Sequence, residues 1–283
     1  MYILDLPMKN FIIVFLVFFI SCKGSDKNTV KDNSQETSLQ NNALSKVFEF
    51  SDLADTIVIK TLFDAKKVIK GTAYWLPDFE EKLNFLVSED GYCNTSIDTI
   101  FYYGNEKYKN AIVLYSTIDT TITCHACAPT LSIATFYKIN NDKKWKLDRF
   151  KKNWILSGSW GKSCSAELVE IGSGEYAIRK DEGYFGQGVE ESSCTFYELY
   201  SFEKIFTLST SGSNTGNFEE ESPLAYDWVA DLKVVKPSSQ EVPSKFDISV
   251  HITGKKPVSD GGPIKKINKK VIYRFIDGIY QPI

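Results

Sequence analysis

The sequence predicts a mainly β protein built from antiparallel sheets, with one or two short helices. Three observations predict this class: many short apolar segments, turn signals between them, and a strict apolar–polar alternation near the C-terminus. These patterns are typical of a sandwich, a barrel or a propeller-like fragment, and the sequence does not choose among the three. Because no internal repeat is visible, a complete propeller is not expected.

One predicted helix lies between Pro77 and Gly91. Proline suits the first position of a helix, and glycine can end it. At helical spacing, one face of this segment would carry the apolar side chains Phe79, Leu83, Leu86 and Val87.

Most of the remaining segments predict strands, several of them joined by tight turns. Turns are predicted at residues 172–174, at Glu203-Lys204 and at Asp277-Gly278, the last being a strong two-residue hairpin signal. The segment 246–253 alternates apolar and polar residues, which predicts a half-buried strand with His251 on its polar face. The predicted strands span residues 111–117, 131–138, 166–171, 175–179, 194–202, 205–208, 246–253, 271–276 and 279–281.

The N-terminal segment has the features of an export signal. Residues 11–20 are all apolar, a run shorter than the about 20 residues that span a bilayer, but suited to the core of a signal peptide. Lys9 supplies the positive flank, whereas Asp5 is unusual in that position, so Met8 is an alternative start. Ser21 and Cys22 follow the apolar run directly.

This arrangement resembles the lipobox of bacterial lipoproteins, in which an apolar and a small residue precede the cysteine that is lipidated. Phe19 departs from the leucine that is usual at the first lipobox position. The resemblance implies that residues 1–21 are a signal peptide and that lipid on Cys22 anchors the chain to a bacterial membrane. The cell envelope is then the expected location, with the outer membrane favoured and the leaflet left open.

Residues 22–46 differ in composition from the chain that follows. They contain few large apolar side chains and no periodic pattern, which predicts a flexible tether. Aromatic residues make up 14% of the whole chain, enough for a sizeable core, so residues 47–283 are expected to form a single β-rich domain. The formal net charge of −3 provides no basic surplus, and nucleic acid is not an expected partner.

Of the six cysteines, all but Cys22 lie in the predicted domain. Disulfides are allowed there because an exported protein meets an oxidising compartment. The favoured pair is Cys164 with Cys194, since each lies beside a predicted strand, and the partners of Cys93, Cys124 and Cys127 are left open.

The most distinctive local motif is Cys-His-Ala-Cys, formed by Cys124, His125 and Cys127 around one alanine. It resembles a signature of uncharacterised bacterial proteins, and the likeness extends loosely to the glycine-rich segments 158–161 and 186–188. The resemblance implies a family but no activity. A c-type haem site is excluded because Ala128 stands where the histidine is needed.

Three interpretations of this motif remain. The favoured one is structural: a short disulfide or two packed thiols would fix a turn before the strand predicted at 131–138. In the second, a thiol-redox pair, His125 would lower the pKa of a neighbouring thiol. In the third, Cys124, His125 and Cys127 would contribute ligands to a zinc ion, which needs about four.

Charged residues add two further expectations. Asp and Glu are abundant, so the sequence leaves open a carboxylate pair of the kind that glycoside hydrolases use. A basic stretch near the C-terminus is expected to be a solvated face, with contact to an anionic lipid or glycan as the alternative. Its members are Lys255, Lys256, Lys265, Lys266, Lys269 and Lys270.

The leading functional hypothesis is a lipid-anchored protein of the cell envelope with a non-catalytic binding or structural role. Its expected partners are the membrane, through lipid on Cys22, and an envelope protein or glycan, with no cofactor and no metal. One alternative is a thiol-redox or metal-handling lipoprotein that uses Cys124, His125 and Cys127. A second alternative is a hydrolase whose catalytic residues the sequence does not identify.

The lipobox interpretation predicts that Cys22→Ala abolishes lipidation, because the lipid is attached to the cysteine thiol. The variant should leave the membrane fraction or stall before processing, and metabolic labelling with a fatty-acid analogue measures the loss. Ser21→Ala keeps a small residue before the cysteine and should retain the label. Label retained on Cys22→Ala would contradict the prediction.

Overall fold

The computed structural model describes residues 48–78, 91–119, 127–139, 142–237, 245–259 and 261–283. All of these residues belong to one compact unit, Val47–Ile283. The predicted signal peptide and tether lie outside the described residues, as does the body of the helix predicted between Pro77 and Gly91. The predicted class is confirmed: the protein is mainly β, its sheets are antiparallel, and the described residues contain a single short helix.

The first half of the unit forms a seven-stranded sheet with the helix α1. Its strands are β1 (Glu49–Phe50), β2 (Lys67–Ile69), β3 (Thr72–Trp75), β4 (Cys93–Gly104), β5 (Tyr108–Asp119), β6 (Thr130–Ile139) and β7 (Trp145–Leu156). They are ordered β1-β7-β6-β5-β4-β3-β2, and every neighbouring pair is antiparallel.

Helix α1 (Thr56–Phe63) lies between β1 and β2 along the chain. Asp55 caps its start, because the carboxylate accepts a hydrogen bond from the backbone N–H of Ile57 at 3.0 Å. The helix buries Val58, Ile59 and Phe63 against one face of the first sheet. It thereby covers that face of the sheet.

Strand β5 is buried on both of its faces. Ala111, Val113 and Tyr115 belong to the core that α1 covers, whereas Ile112 and Leu114 belong to a second core on the opposite face. This explains why the sequence reads as a continuous apolar run here instead of alternating, since a strand covered on both faces has no polar side.

The second half of the unit forms an eight-stranded sheet that curls into a half-barrel. Its strands are β8 (Ala166–Gly172), β9 (Glu175–Gly186), β10 (Val189–Glu198), β11 (Lys204–Ser213), β12 (Asp227–Val235), β13 (Asp247–Pro257), β14 (Ile264–Ile276) and β15 (Ile279–Pro282). Each strand is hydrogen-bonded to the next along the chain, so the sheet is a meander.

Aromatic rings fill the core inside this curl. The Phe206 ring contacts Phe196 at 5.7 Å, Tyr273 at 5.1 Å and Tyr280 at 5.7 Å, all edge to face. The Tyr280 hydroxyl donates a hydrogen bond to the carbonyl of Phe246 at 2.9 Å. Contacts of this geometry add to the free energy of burial, and the hydrogen bond satisfies the one polar atom of a buried ring.

A separate core joins the two sheets. It brings Ile112, Leu114 and Ile133 of the first sheet together with Ile178 of β9 and with Phe202 of the β10–β11 turn. The Trp154 indole N–H also donates to the carbonyl of Phe202 at 2.8 Å.

Two of the three predicted turns are confirmed. β8 and β9 meet at Gly174 (φ 72°), and β14 and β15 meet at Asp277 and Gly278 (φ 50° and 89°). The prediction of a turn at Glu203-Lys204 is wrong. β10 ends at Glu198 and β11 begins at Lys204, so the connection starts earlier and is longer than predicted. The residues between them include Leu199 and Phe202, which are apolar because the turn packs into the core between the sheets.

Leu114→Ala is expected to lower the free energy of unfolding by about 2–5 kcal/mol, because it leaves a cavity where both sheets pack. Denaturant unfolding measures the change. Leu156→Ala is the matched control: Leu156 is 63% exposed, whereas Leu114 is fully buried. The control should stay within about 0.5 kcal/mol of the parent, and equal effects of the two substitutions would contradict the described packing.

Candidate binding cleft in the second sheet

A cleft of about 940 Å³ opens on the second sheet. Strands β9 to β14 all contribute to it, together with the loops that follow β11 and β13. β9 and β14 lie near the two ends of the sheet. Because the sheet curls, they approach the cleft from opposite sides. The volume is in the range of sites that hold small molecules, which is about 300–1,000 Å³.

The lining combines hydroxyl groups, aromatic rings and a few charges. One side carries Glu182 of β9 and Glu191 of β10, and the other carries Lys256 of β13. Hydroxyls and rings lie between these charges, contributed by Ser192, Ser193, Ser209, Ser211, Tyr184, Tyr226 and Trp228. Carboxylates accept hydrogen bonds, the lysine donates them, and the hydroxyls do both.

Trp228 and Lys256 form one fixed corner of the cleft. The Trp228 ring packs on Gly212 so closely that a Cβ at that position would lie 2.6 Å from the indole nitrogen. The ammonium of Lys256 lies 3.5 Å from the centre of the same ring, a cation–π contact. Burial lowers the pKa of Lys256 from its usual range, because the charged form loses water.

The loop at one end of the cleft is held in place by asparagines. Asn214 is buried, donates to the carbonyl of Leu224 at 2.9 Å and accepts from the N–H of Tyr226 at 2.7 Å. Asn217 donates to the carbonyl of Gln187 at 2.6 Å. The glycine-rich segment 186–188 therefore supports this loop, and hence the frame of the cleft.

A smaller cleft of about 470 Å³ lies where Tyr103 and Arg149 of the first sheet meet the second sheet. The nearly buried Lys245 ammonium pairs there with the carboxylates of Glu175 and of Glu198, the latter at 2.7 Å. Burial acts to lower the pKa of Lys245, but these two hydrogen bonds raise it overall. Because both carboxylates already neutralise this cation, we interpret the network as structural.

The predicted bridge between Cys164 and Cys194 is wrong, since both are free thiols. Cys194 pairs with Asp181 of β9, and the N–H of Asp181 in turn donates to the carbonyl of Ser165, next to Cys164. A whole strand thus separates the two cysteines. Two strand spacings amount to about 10 Å, beyond the about 7 Å that a disulfide tolerates.

Cys194 is also poorly suited to thiol chemistry. It lies in the core of the second sheet, and burial raises the pKa of its thiol to about 11. A buried thiol with a high pKa carries little thiolate at neutral pH and is inert.

Of the Cys-His-Ala-Cys motif, Cys124 and His125 lie outside the described residues, whereas Cys127 is disulfide-bonded. The carbonyl of Cys127 accepts a hydrogen bond from the N–H of Gly161 at 2.8 Å, and Ser157 donates to the carbonyl of Pro129 at 3.2 Å. The glycine-rich segment 158–161 thus contacts the C-terminal end of the motif.

Two other sequence expectations concern His251 and metals. His251 is exposed on β13, where its Nε2 lies 2.7 Å from the side-chain oxygen of Asn268, so its predicted place on a polar face is confirmed. Among the residues that the structure describes, no three His, Cys, Asp or Glu side chains are close enough to hold a metal ion. The described helix is too short to cross a membrane.

No local motif points to the cleft residues. Ser192, Ser211, Trp228 and Lys256 come from four different strands, and only the curl of the sheet brings them together. The basic stretch contributes Lys256 to the lining of the cleft, and the glycine-rich segment 186–188 supports its frame.

Cys124→Ser combined with Cys127→Ser is expected to lower the free energy of unfolding by about 1–3 kcal/mol, if the bond at Cys127 closes a short loop. Denaturant unfolding measures the change, and Cys164→Ser, which removes a free thiol, should change it by no more than about 0.5 kcal/mol. A native protein that reduces a disulfide substrate, and a stable but inert double variant, would instead favour thiol-redox chemistry.

Comparison with known proteins finds no match: no protein family, no curated protein and no solved structure shows significant similarity to this chain.

Proposed function

We propose that the protein is a lipid-anchored binding protein of the bacterial cell envelope, whose folded unit holds a hydroxyl-rich ligand, a glycan, in the cleft of the second sheet. The observation that carries this proposal is the cleft itself, with its serine hydroxyls, its aromatic rings and its separate carboxylates and ammonium. Few concave sites occur in a protein, and one with several convergent polar groups is the natural candidate for binding.

The lining chemistry supports a saccharide over an apolar ligand. Sugar hydroxyls both donate and accept, and they would meet the hydroxyls of Ser192 and Ser211 as well as the carboxylates of Glu182 and Glu191. The half-exposed ring of Tyr184 gives the apolar face of a sugar ring a surface on which to pack. A purely apolar ligand would leave these polar groups without partners, which costs free energy.

The anchor supports a role at the membrane surface. Lipid on Cys22 would hold the chain there, since two or more acyl chains anchor a protein stably. The polar segment 22–46 would then act as a tether between the lipid and the folded unit.

A hydrolase is the second candidate function, because Glu182 and Glu191 line the same cleft. The general acid of a glycosidase usually lies in an apolar environment, which raises its pKa and keeps it protonated. Glu191 is exposed and Glu182 only half-buried, so both carboxylates remain in contact with water. This exposure favours binding over catalysis.

Tyr184→Ala is expected to weaken glycan binding by about tenfold, a loss of about 1.4 kcal/mol, because it removes the exposed ring at the cleft. Binding of the full chain, purified in detergent, to an array of envelope glycans measures the effect. Tyr108→Ala is the matched control, since Tyr108 is similarly exposed (47% against 51%) but lies outside the cleft.

Equal loss of binding in both tyrosine variants, or no glycan binding by the parent, would contradict the proposal. The bound glycan should also be recovered intact after incubation. If it is cleaved, and if Glu182→Gln or Glu191→Gln stops the cleavage, the hydrolase is the correct function.

A further inference from the structure

Two pairs of lysines face each other across β13 and β14. Lys255 lies directly opposite Lys266, and Lys256 directly opposite Lys265. Directly opposed residues of antiparallel strands share a face, with Cβ atoms about 5 Å apart, and like charges in such positions destabilise the sheet. The fold therefore keeps an unfavourable arrangement at this end of the hairpin.

Within the described part of the chain, no carboxylate forms an ion pair with Lys256 or Lys265. The ammonium of Lys256 has the Trp228 ring as its close neighbour and is half-buried beside the cleft. Burial lowers its pKa, and no acidic group of the described residues acts against this shift. Among the described residues, this cation thus has no counter-charge of the kind that a partly buried cation usually has.

Protection of a sheet edge accounts for Lys265 but not for Lys256. Lysines on an exposed edge strand keep other chains from pairing with it. This explains Lys265, Lys269 and Lys270 of β14, because β15 pairs only with residues from Tyr273 onward. Lys256, however, lies on β13, which is hydrogen-bonded to β12 on one side and to β14 on the other. Its position calls for a different explanation.

We infer that the ligand of the cleft is an acidic oligosaccharide, whose carboxylate or phosphate group binds between Lys256 and Lys265. The inference rests on the function proposed above and specifies its ligand. An anionic group there would neutralise both ammonium ions, and charge-assisted hydrogen bonds to it would be about twice as strong as neutral ones.

The rest of the cleft favours an acidic sugar over a simple anion. The opposite side carries Glu182 and Glu191, which would repel a ligand that is anionic throughout but would accept hydrogen bonds from hydroxyl groups. A ligand with hydroxyls at one end and one acidic group at the other matches both sides. An acidic peptide presents charge without the hydroxyls and does not match the carboxylate side.

Calorimetric titration of the full chain in detergent with three probes tests this inference. Sialyllactose supplies hydroxyls and a single carboxylate at one end, maltotriose supplies hydroxyls alone, and a tripeptide of aspartate supplies charge alone. We expect sialyllactose to bind at least about tenfold more tightly than either of the others. Lys256→Gln with Lys265→Gln should reduce its affinity to that of maltotriose, whereas the control Lys107→Gln with Lys109→Gln, on the first sheet, should not change it.

Lys265→Glu separates the ligand site from the stability of the fold. It replaces a like-charge pair with an opposite-charge pair, so its melting temperature should equal or exceed that of the parent. Binding of sialyllactose should nevertheless fall at least as far as in the double glutamine variant. A lower melting temperature with unchanged binding would overturn the inference.

The remaining outcomes separate the two proposals. Equal binding of sialyllactose and maltotriose, reduced by Tyr184→Ala but not by the lysine variants, overturns the acidic ligand and leaves the glycan-binding function standing. Equal or tighter binding of the aspartate peptide shows that the ligand is an anionic peptide and overturns the inference. If none of the three probes binds, the acidic glycan is overturned, and the glycan array with Tyr184→Ala then decides the proposed function alone.

Discussion

The apolar contact between the two sheets is the interaction on which the rest of the structure depends. It uses one face of the first sheet, at Ile112 and Leu114, and one face of β9, at Ile178. The neighbouring residue of β9, Ala177, belongs to the core on the other face of the second sheet. With its first strands held in this way, the second sheet has to bury its other face against itself, because the first sheet is already covered by α1. The curl, and with it the cleft, follows from that requirement.

Several strands of the curled sheet pass from core residues to cleft residues along their length. The change occurs at the same level in neighbouring strands. β10 runs from Ser192, in the cleft, to Phe196, in the core, and β11 runs from Phe206, in the core, to Ser211, in the cleft. β13 passes from Val250, in the core, to Lys256, at the cleft. An aligned boundary of this kind, across several strands, places polar groups at one end of the half-barrel while the aromatic core holds the other end closed.

The sequence predicted the features that depend on neighbouring residues, and it failed where distant residues decide. Alternation at 246–253 and the Asp277-Gly278 turn are local signals, and both agree with the structure. Helix α1 was missed because its residues 56–63, TIVIKTLF, are rich in β-branched side chains, which favour strands. Packing against the first sheet and the Asp55 cap outweigh that preference.

The predicted cysteine pair was wrong, and the cleft was missed, for the same topological reason. Cys164 and Cys194 each lie beside a predicted strand, but proximity across a sheet depends on strand order, and β9 comes between them. The cleft residues are spread over six strands, with no spacing that a local pattern could reveal. Only the meander order, which the hairpin turns imply but do not prove, determines which side chains meet.

The charges show most clearly why the net charge of the whole chain is a poor guide to the charge of the site. A formal net charge of −3 indicates a chain with no preference for anions. The fold nevertheless places four lysines in two opposed pairs at one end of a single hairpin, while two of the acidic residues line the other side of the cleft. Interactions between charges weaken beyond about 10 Å at moderate ionic strength. A ligand in the cleft therefore interacts with these nearby charges and not with the net charge of the chain. A protein whose positive and negative charges nearly balance can still present a site that distinguishes one end of its ligand from the other.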